Sequence, residues 1–300
     1  MSTSEKIAIV TDSCADVPRD LAEQYSIFVL PMVIMTTQGE FSDGVDITAT
    51  EIYEIQKKEL PKTGCPTGAA VMDTFEEIKR QGYTKVMVIL LSGGLSGTVN
   101  NVRLLSQNVK ELEVVVYDSK QASIGIGVIA LQAAKYVQEG YSFEQLKEAV
   151  EKLIAGTKVF FSIDTLEFLQ KGGRIGKVTA MAGTLLQIKP ILSFDETDGE
   201  IYTAAKVRGK HLVESKLVQL VQESCALKQD GCGHDSSRLE SCRYNLVIAD
   251  GGAPEERKKL EQRMMEAFPN YEEIYHANIG AALSVYLGKG LLGAGIQFLE

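Results

Sequence analysis

Residues 85–91 (KVMVILL) are apolar on both faces of an extended chain, and Ser92-Gly93-Gly94-Leu95-Ser96-Gly97-Thr98 follows at once. A strand with two apolar faces belongs inside a parallel sheet covered by helices, so this run points to an α/β protein. Residues 113–117 and 158–162 repeat the look. Such runs alternate with amphipathic helical patterns along the chain, as a mostly parallel architecture requires. Residues 6–10 open as a strand, and Asp16-Val17-Pro18 gives an N-cap and early-helix proline.

Thr48-x-x-Glu51 and Ser142-x-x-Gln145 are capping boxes that start helices. The second of these helices ends at Gly156, where the sequence divides into an N-terminal α/β domain over 1–156 and a C-terminal α/β domain over 157–300. No Pro- or Ser-rich linker separates them, so they are expected to pack closely. In the second half, strands are predicted near 190–194, 201–203, 245–250 and 272–275, and helices over 175–187, 210–224 and 254–267. Asp198-Gly199 between short apolar runs signals a hairpin, which makes this second sheet mixed. Residues 229–242 read as an exposed polar loop.

Length and charge narrow the function. At 300 residues, two modest domains are expected. With 45% apolar and 24% charged residues the chain is globular, and its net charge of −9 repels nucleic acid and anionic membranes. The five cysteines are scattered, unlike a disulfide framework, and the start has no signal-peptide pattern, so a reduced, cytoplasmic protein is expected. The apolar stretch 279–299 is interrupted by Lys289 and five glycines, which argues for a strand and loops packed inside a domain and against a transmembrane segment.

The loop after the buried strand is the sharpest motif. Glycines permit close backbone approach, the following helix N-terminus offers free N–H groups, and Ser96 and Thr98 add hydroxyls: together a socket for a phosphate or carboxylate. The same residues nearly form a nucleophile elbow, with Thr98 in place of the second glycine, and the order Ser96, Asp250, His276 suits a serine hydrolase triad. Gly172-Gly173-Arg174-Ile175-Gly176-Lys177 lacks the Walker spacing but puts Arg174 and Lys177 at a helix start, where they read as a site for an anion or an acidic partner. Cys225, Cys232, His234 and Cys242 show no C-x-x-C pair, so no metal site is expected. Asp12, Asp43, Asp46 and Asp118 read as isolated acids.

Taken in order, the motifs resemble the DegV family almost end to end. The residues that carry the resemblance are Thr11-Asp12-Ser13 with Ala15-Asp16, Thr63-Gly64-Cys65-Pro66-Thr67, Leu95-Ser96-Gly97-Thr98, Asp118-Ser119 with Gly125 and Gly127, residues 164–175 (DTLEFLQKGGRI), 188–192 (IKPIL) and Lys206-Val207-Arg208. The resemblance implies two α/β domains with a long-chain fatty acid held in a cleft between them, its carboxylate met by Thr63 and Ser96 with N–H groups around Gly97 and Thr98. It also implies a non-catalytic carrier, needing no cofactor of its own, that presents the acid to a separate ATP-binding fatty acid kinase subunit, which Arg174 and Arg208 would face. Leu185, Leu186, Ile188 and the stretch 279–299 are candidates for the acyl cleft. The chain departs from the family pattern at Gly64, where a serine is usual, and at Tyr286, where a histidine is usual. A tyrosine still donates a hydrogen bond but stays neutral, and Lys289 is then a candidate for the missing charge. Besides the hydrolase, these departures motivate one more alternative, a carrier of a different lipid-like anion.

Overall fold

A computed structural model describes residues 5–181, 188–227 and 242–299. Its strands are β1 (Ile7–Asp12), β2 (Ile27–Leu30), β3 (Val33–Thr36), β4 (Gly39–Ser42), β5 (Lys62–Gly64), β6 (Lys85–Leu90), β7 (Glu113–Asp118), β8 (Thr157–Ser162), β9 (Ile188–Phe194), β10 (Ile201–Arg208), β11 (Tyr244–Asp250), β12 (Ile274–Asn278) and β13 (Leu292–Phe298). Its helices are α1 (Arg19–Gln24), α2 (Ala49–Ile55), α3 (Gly68–Arg80), α4 (Thr98–Ser106), α5 (Ile124–Gln138), α6 (Phe143–Gly156), α7 (Glu167–Lys171), α8 (Val213–Leu227), α9 (Pro254–Ala267) and α10 (Ala281–Leu287).

Among the described residues these strands form three sheets. The first, in the order β2-β1-β6-β7, is wholly parallel. The second, β10-β9-β8-β13-β11-β12, is mixed, with only β11 and β12 parallel. A small antiparallel sheet, β4-β3-β5, hangs beside the first. The two α/β units with a parallel and a mixed sheet are therefore as the sequence predicts. Two details differ: residues 158–162 form an antiparallel strand between β9 and β13, and the short β3–β5 sheet carries no alternation long enough to read.

Side-chain alternation sorts the core into layers. On β6, Val86, Val88 and Leu90 pack with Val71, Phe75 and Ile78 of α3 and Val99 and Val102 of α4. Met87 and Ile89 face the other way, onto α5. On β11, Val247 and Ala249 join that central cluster, while Leu246 and Ile248 pack with Leu217 and Val221 of α8 and Leu260 and Met264 of α9. Helix α5 thus lies between the two main sheets, touching β1 and β6 on one side and β8, β11 and β13 on the other. It is buried nearly throughout, as a helix apolar on all sides must be. A short polar chain fixes it there: Asn245 donates to Gln132 at 3.2 Å and to Gln297 at 3.1 Å.

Both capping boxes form, at Thr48–Glu51 and Ser142–Gln145. Asp16 does not cap α1; its backbone is left-handed and its side chain turns inward. The stretch 279–299 holds β13 as expected and a helix, α10, in place of a loop. Residues 176–181 form a 3-10 turn; the remainder of the helix expected to 187, most of the loop 229–242, and with it Cys232 and His234, lie outside the described residues. No described helix is long and apolar enough to cross a membrane.

Candidate functional site

Strands β1 and β6 are neighbours at the point where the first sheet's chain order turns from one direction to the other, and in such sheets the crevice beyond the carboxyl ends of those strands is the natural binding place. A cavity that opens to solvent lies there. Cys14, Leu91, Leu95, Ser96 and Gly97 come from the ends of β1 and β6; Met32, Thr63, Gly64 and Cys65 come from the small sheet and its loops. Ile279, Ala282, Leu283, Tyr286, Leu287 and Leu291 come from α10 and its flanks. The second main sheet closes the cavity with Val159, Phe161, Phe194, Ile201, Ala249 and Gly293, none of which has a polar side chain.

The polar groups come instead from β5, the loop between β6 and α4, α10 and the turn after α7. Thr63 Oγ1 and the Tyr286 hydroxyl share a hydrogen bond at 2.7 Å, and Ser96 Oγ and Thr98 Oγ1 share another at 2.8 Å. Cys65 Sγ lies 3.8 Å from Ser96 Oγ. Ser96 Oγ also accepts the Thr98 N–H at 3.3 Å, and Thr98 itself is fully buried against Met32 Sδ, so it supports the site without lining it. Arg174 lines the cavity, half-buried, with its guanidinium 5.2 Å from the centroid of the Tyr286 ring. Its Nε donates to the Leu95 carbonyl at 3.3 Å and Nη1 to the Gly172 carbonyl at 2.8 Å. A stacked, doubly anchored guanidinium is a fixed positive charge ready for a carboxylate.

Of the residues predicted from sequence, the structure brings Thr63, Ser96, Gly97 and Tyr286 to one cavity, with Thr98 directly behind. Lys289 is not there; its side chain is exposed and lies against Gly252, and among the described lining residues it is Arg174 that brings a positive charge to the cavity. Arg208 is exposed at the end of β10 and does not line the cavity. Ile188 packs against the central core and does not line the cavity; Leu185 and Leu186 lie outside the described residues. Sequence reasoning marked the turn of Arg174 as a site for an anion or an acidic partner, but did not place Arg174 in the same cavity as Ser96.

The glycines of the motif also divide differently from the expectation. A Cβ at Gly93 would lie 2.7 Å from Asp118 Oδ2, and one at Gly94 would lie 2.5 Å from the Asp198 carbonyl. These two glycines admit protein neighbours; only Gly97 lines the cavity. The hydrolase triad does not assemble either. Asp250 accepts the Ala253 N–H at 2.8 Å and pairs with Arg257 at 3.0 Å, while His276 pairs with Glu261 at 3.1 Å and opens onto a different cleft. Neither lines the cavity that holds Ser96.

Behind the cavity, Asp12, Asp16 and Asp43 are not isolated but clustered. Asp12 accepts the N–H groups of Leu91 at 2.8 Å and Cys14 at 3.0 Å; Asp16 accepts the Ser123 hydroxyl at 2.5 Å and the Gly280 N–H at 2.9 Å. They tie the ends of β1 and β6 to the starts of α5 and α10, the elements that carry the walls. Burial pushes Asp12 up from the ordinary 3.8 to about 7, outweighing its two N–H donors, and raises Asp16 and Asp43 in the same direction. Between about pH 4 and 7 the folded protein therefore holds protons that the unfolded chain has released, so this contribution is full at the acid end and is lost as pH rises through 7. For Asp12 it amounts to at most about 4 kcal/mol. Thermal midpoints are expected to fall from pH 5 to pH 8, with a shallower fall in Asp12→Asn; a midpoint that rises across that window contradicts the assignment.

The profile described as "Uncharacterised protein, DegV family" matches residues 6–299. A DegV domain-containing protein of Clostridium perfringens is 34% identical over 293 residues, covering 98% of this chain and 99% of that protein, and one of Clostridium acetobutylicum is 33% identical over 289 residues, covering 96% and 98%. Among solved structures, a fatty-acid-binding DegV family protein of Thermus thermophilus superposes with a TM-score of 0.85 at 29% identity, over 98% of this chain and 100% of that one. DegV of Bacillus subtilis, a fatty acid binding protein, superposes with a TM-score of 0.84 at 28% identity, over 98% and 100%. With its motifs, its two sheets and nearly its whole length matched, the chain belongs to the DegV family.

Proposed function

We propose that this protein holds a long-chain fatty acid in the cavity, its carboxylate against Thr63, Ser96, Tyr286 and Arg174, and presents that carboxylate to a separate ATP-binding kinase subunit for acyl-phosphate formation. The observation that carries the reading is the division of the cavity: among the described residues, hydroxyls and one guanidinium come from β5, the β6–α4 loop, α10 and the turn after α7, while the wall formed by the second main sheet is apolar. A ligand with one anionic end and a long hydrocarbon tail matches that division. The fatty acid binding of the Thermus thermophilus and Bacillus subtilis relatives supports it. In this reading the two parts of the chain, 1–156 and 157–300, act as the two jaws. Arg208 and the outer edge of Arg174 meet the kinase subunit.

Denaturing extraction of the purified protein followed by mass spectrometry tests the reading, with near-stoichiometric fatty acid expected. A folded protein that yields none, and takes up none when offered, refutes it; a different lipid-like anion in the extract establishes the alternative cargo. Ser96→Ala and Thr63→Ala each withdraw a hydroxyl from a buried carboxylate, at about 1–3 kcal/mol, or roughly a tenfold weaker affinity. Equilibrium binding of a labelled fatty acid reads this directly. Unchanged affinity in both variants removes these two hydroxyls from the head-group site.

A further inference from the structure

Gly293 stands in the middle of the sheet wall, in register with Phe161 of β8 on one side and Ala249 of β11 on the other. A glycine inside a strand weakens it and marks either a tight neighbour or a ligand that comes close. The two glycines of β13 separate these cases. A Cβ at Gly295 would lie 2.4 Å from the Lys158 carbonyl oxygen and 2.9 Å from Val159 Cγ2, so the protein's own packing excludes a side chain there. A Cβ at Gly293 would sit 3.4 Å from the Phe160 carbonyl and Phe161 Cβ and 3.9 Å from Ala249 Cβ, which is ordinary contact on a backbone that any residue adopts. The protein would accept a side chain at Gly293, and the space it leaves belongs to the cavity. Beside it, the rings of Phe161 and Phe194 are stacked with centroids 5.4 Å apart and make a stiff flank.

We infer that Gly293 is the floor on which the acyl chain lies, and that its missing side chain sets how long a fatty acid the cavity accepts. The inference rests on the fatty-acid reading above and adds the residue that determines chain length. With the polar groups elsewhere, only the hydrocarbon can meet this wall, and each carbon added at Gly293 takes the place of ligand. The carboxylate contacts are untouched by such a change, so the effect falls on selectivity among acids that share a head group.

The test offers the wild-type protein, Gly293→Ala and Gly293→Leu, each stripped of lipid, an equimolar mixture of decanoic, myristic, palmitic and stearic acids, and measures the retained acids by mass spectrometry. Thermal unfolding checks that each variant is folded, and the alanine variant, which the backbone and neighbours accommodate, keeps the test alive where leucine does not fold. The wild type is expected to retain palmitic and stearic acids. The leucine variant is expected to lower the ratio of stearic to decanoic acid by about tenfold or more, with alanine shifting it the same way by less. A folded variant with the wild-type profile, or one that loses all four acids in equal proportion, overturns the inference while leaving fatty-acid binding in place. A wild-type protein that retains none of the four overturns the underlying reading and this one with it.

Discussion

Arg174→Met is expected to weaken fatty-acid binding by about a hundredfold. Methionine keeps much of the length and the contact with the Tyr286 ring but removes the only arginine or lysine among the described cavity-lining residues. The bound carboxylate would then be desolvated with hydroxyl donors alone, and losing the charged partner of a buried ion costs about 3 kcal/mol. Arg174→Lys should recover part of the loss. A lysine restores the charge, but not the planar fork that stacks on Tyr286 and reaches the Leu95 and Gly172 carbonyls. Titration with a labelled fatty acid at pH 7 measures all three proteins. In the same series, Arg208→Ala is expected to keep wild-type affinity, because Arg208 lies outside the cavity, and to lower phosphoryl transfer by the proposed kinase subunit. Wild-type affinity in Arg174→Met would move the counter-charge elsewhere and leave for Arg174 only the docking role proposed above.

How the site became legible depends on the kind of residue. Ser96 and Thr63 could be placed because a strand-to-helix loop has a known geometry and because the ordered motifs resembled a family. Arg174 was legible only as part of a site for an anion or an acidic partner; its reach to Leu95 and Tyr286 depends on how the turn 172–176 folds back over the first half of the chain, and nothing local encodes that. Lys289 failed for the same reason: one turn past α10, its side chain points out across Gly252. Helix α5 went unread because a helix buried on every side has no polar stripe to reveal its period. Its glycines were visible only as motif members. The structure gives the reason for one of them: a Cβ at Gly127 would lie 2.6 Å from the Ala15 carbonyl, so the Thr11–Asp16 motif and α5 meet at bare backbone. Of the acids Asp12, Asp16 and Asp43, the third lies 27 or more residues from the other two in sequence, and only the tertiary fold makes it their neighbour.

The same lesson applies where the two halves meet at the Asp198-Gly199 hairpin. Sequence identified the turn but not its partner. In the structure the Ser92 hydroxyl donates to the Gly199 carbonyl at 2.8 Å, and the Asp198–Glu200 backbone lies where a Gly94 side chain would be. The hairpin of the second sheet thus rests on the loop that carries Ser96. Gly199 is buried, has a φ of +72°, and a Cβ there would lie 2.0 Å from Ser92 Oγ. Gly199→Val therefore combines left-handed strain, about 1–3 kcal/mol, with overpacking of similar size. The hairpin has to lift, and Ile201, two residues on in the cavity wall, has to move with it. The expected result is a thermal midpoint lower by roughly 10 °C together with loss of bound fatty acid, measured by melting and by extraction of the same sample. Gly199→Ala, with the same strain and a smaller side chain, should fall between. Were Gly199→Val to melt and load like the wild type, the hairpin would be free to shift, and closure of the cavity would not depend on this contact.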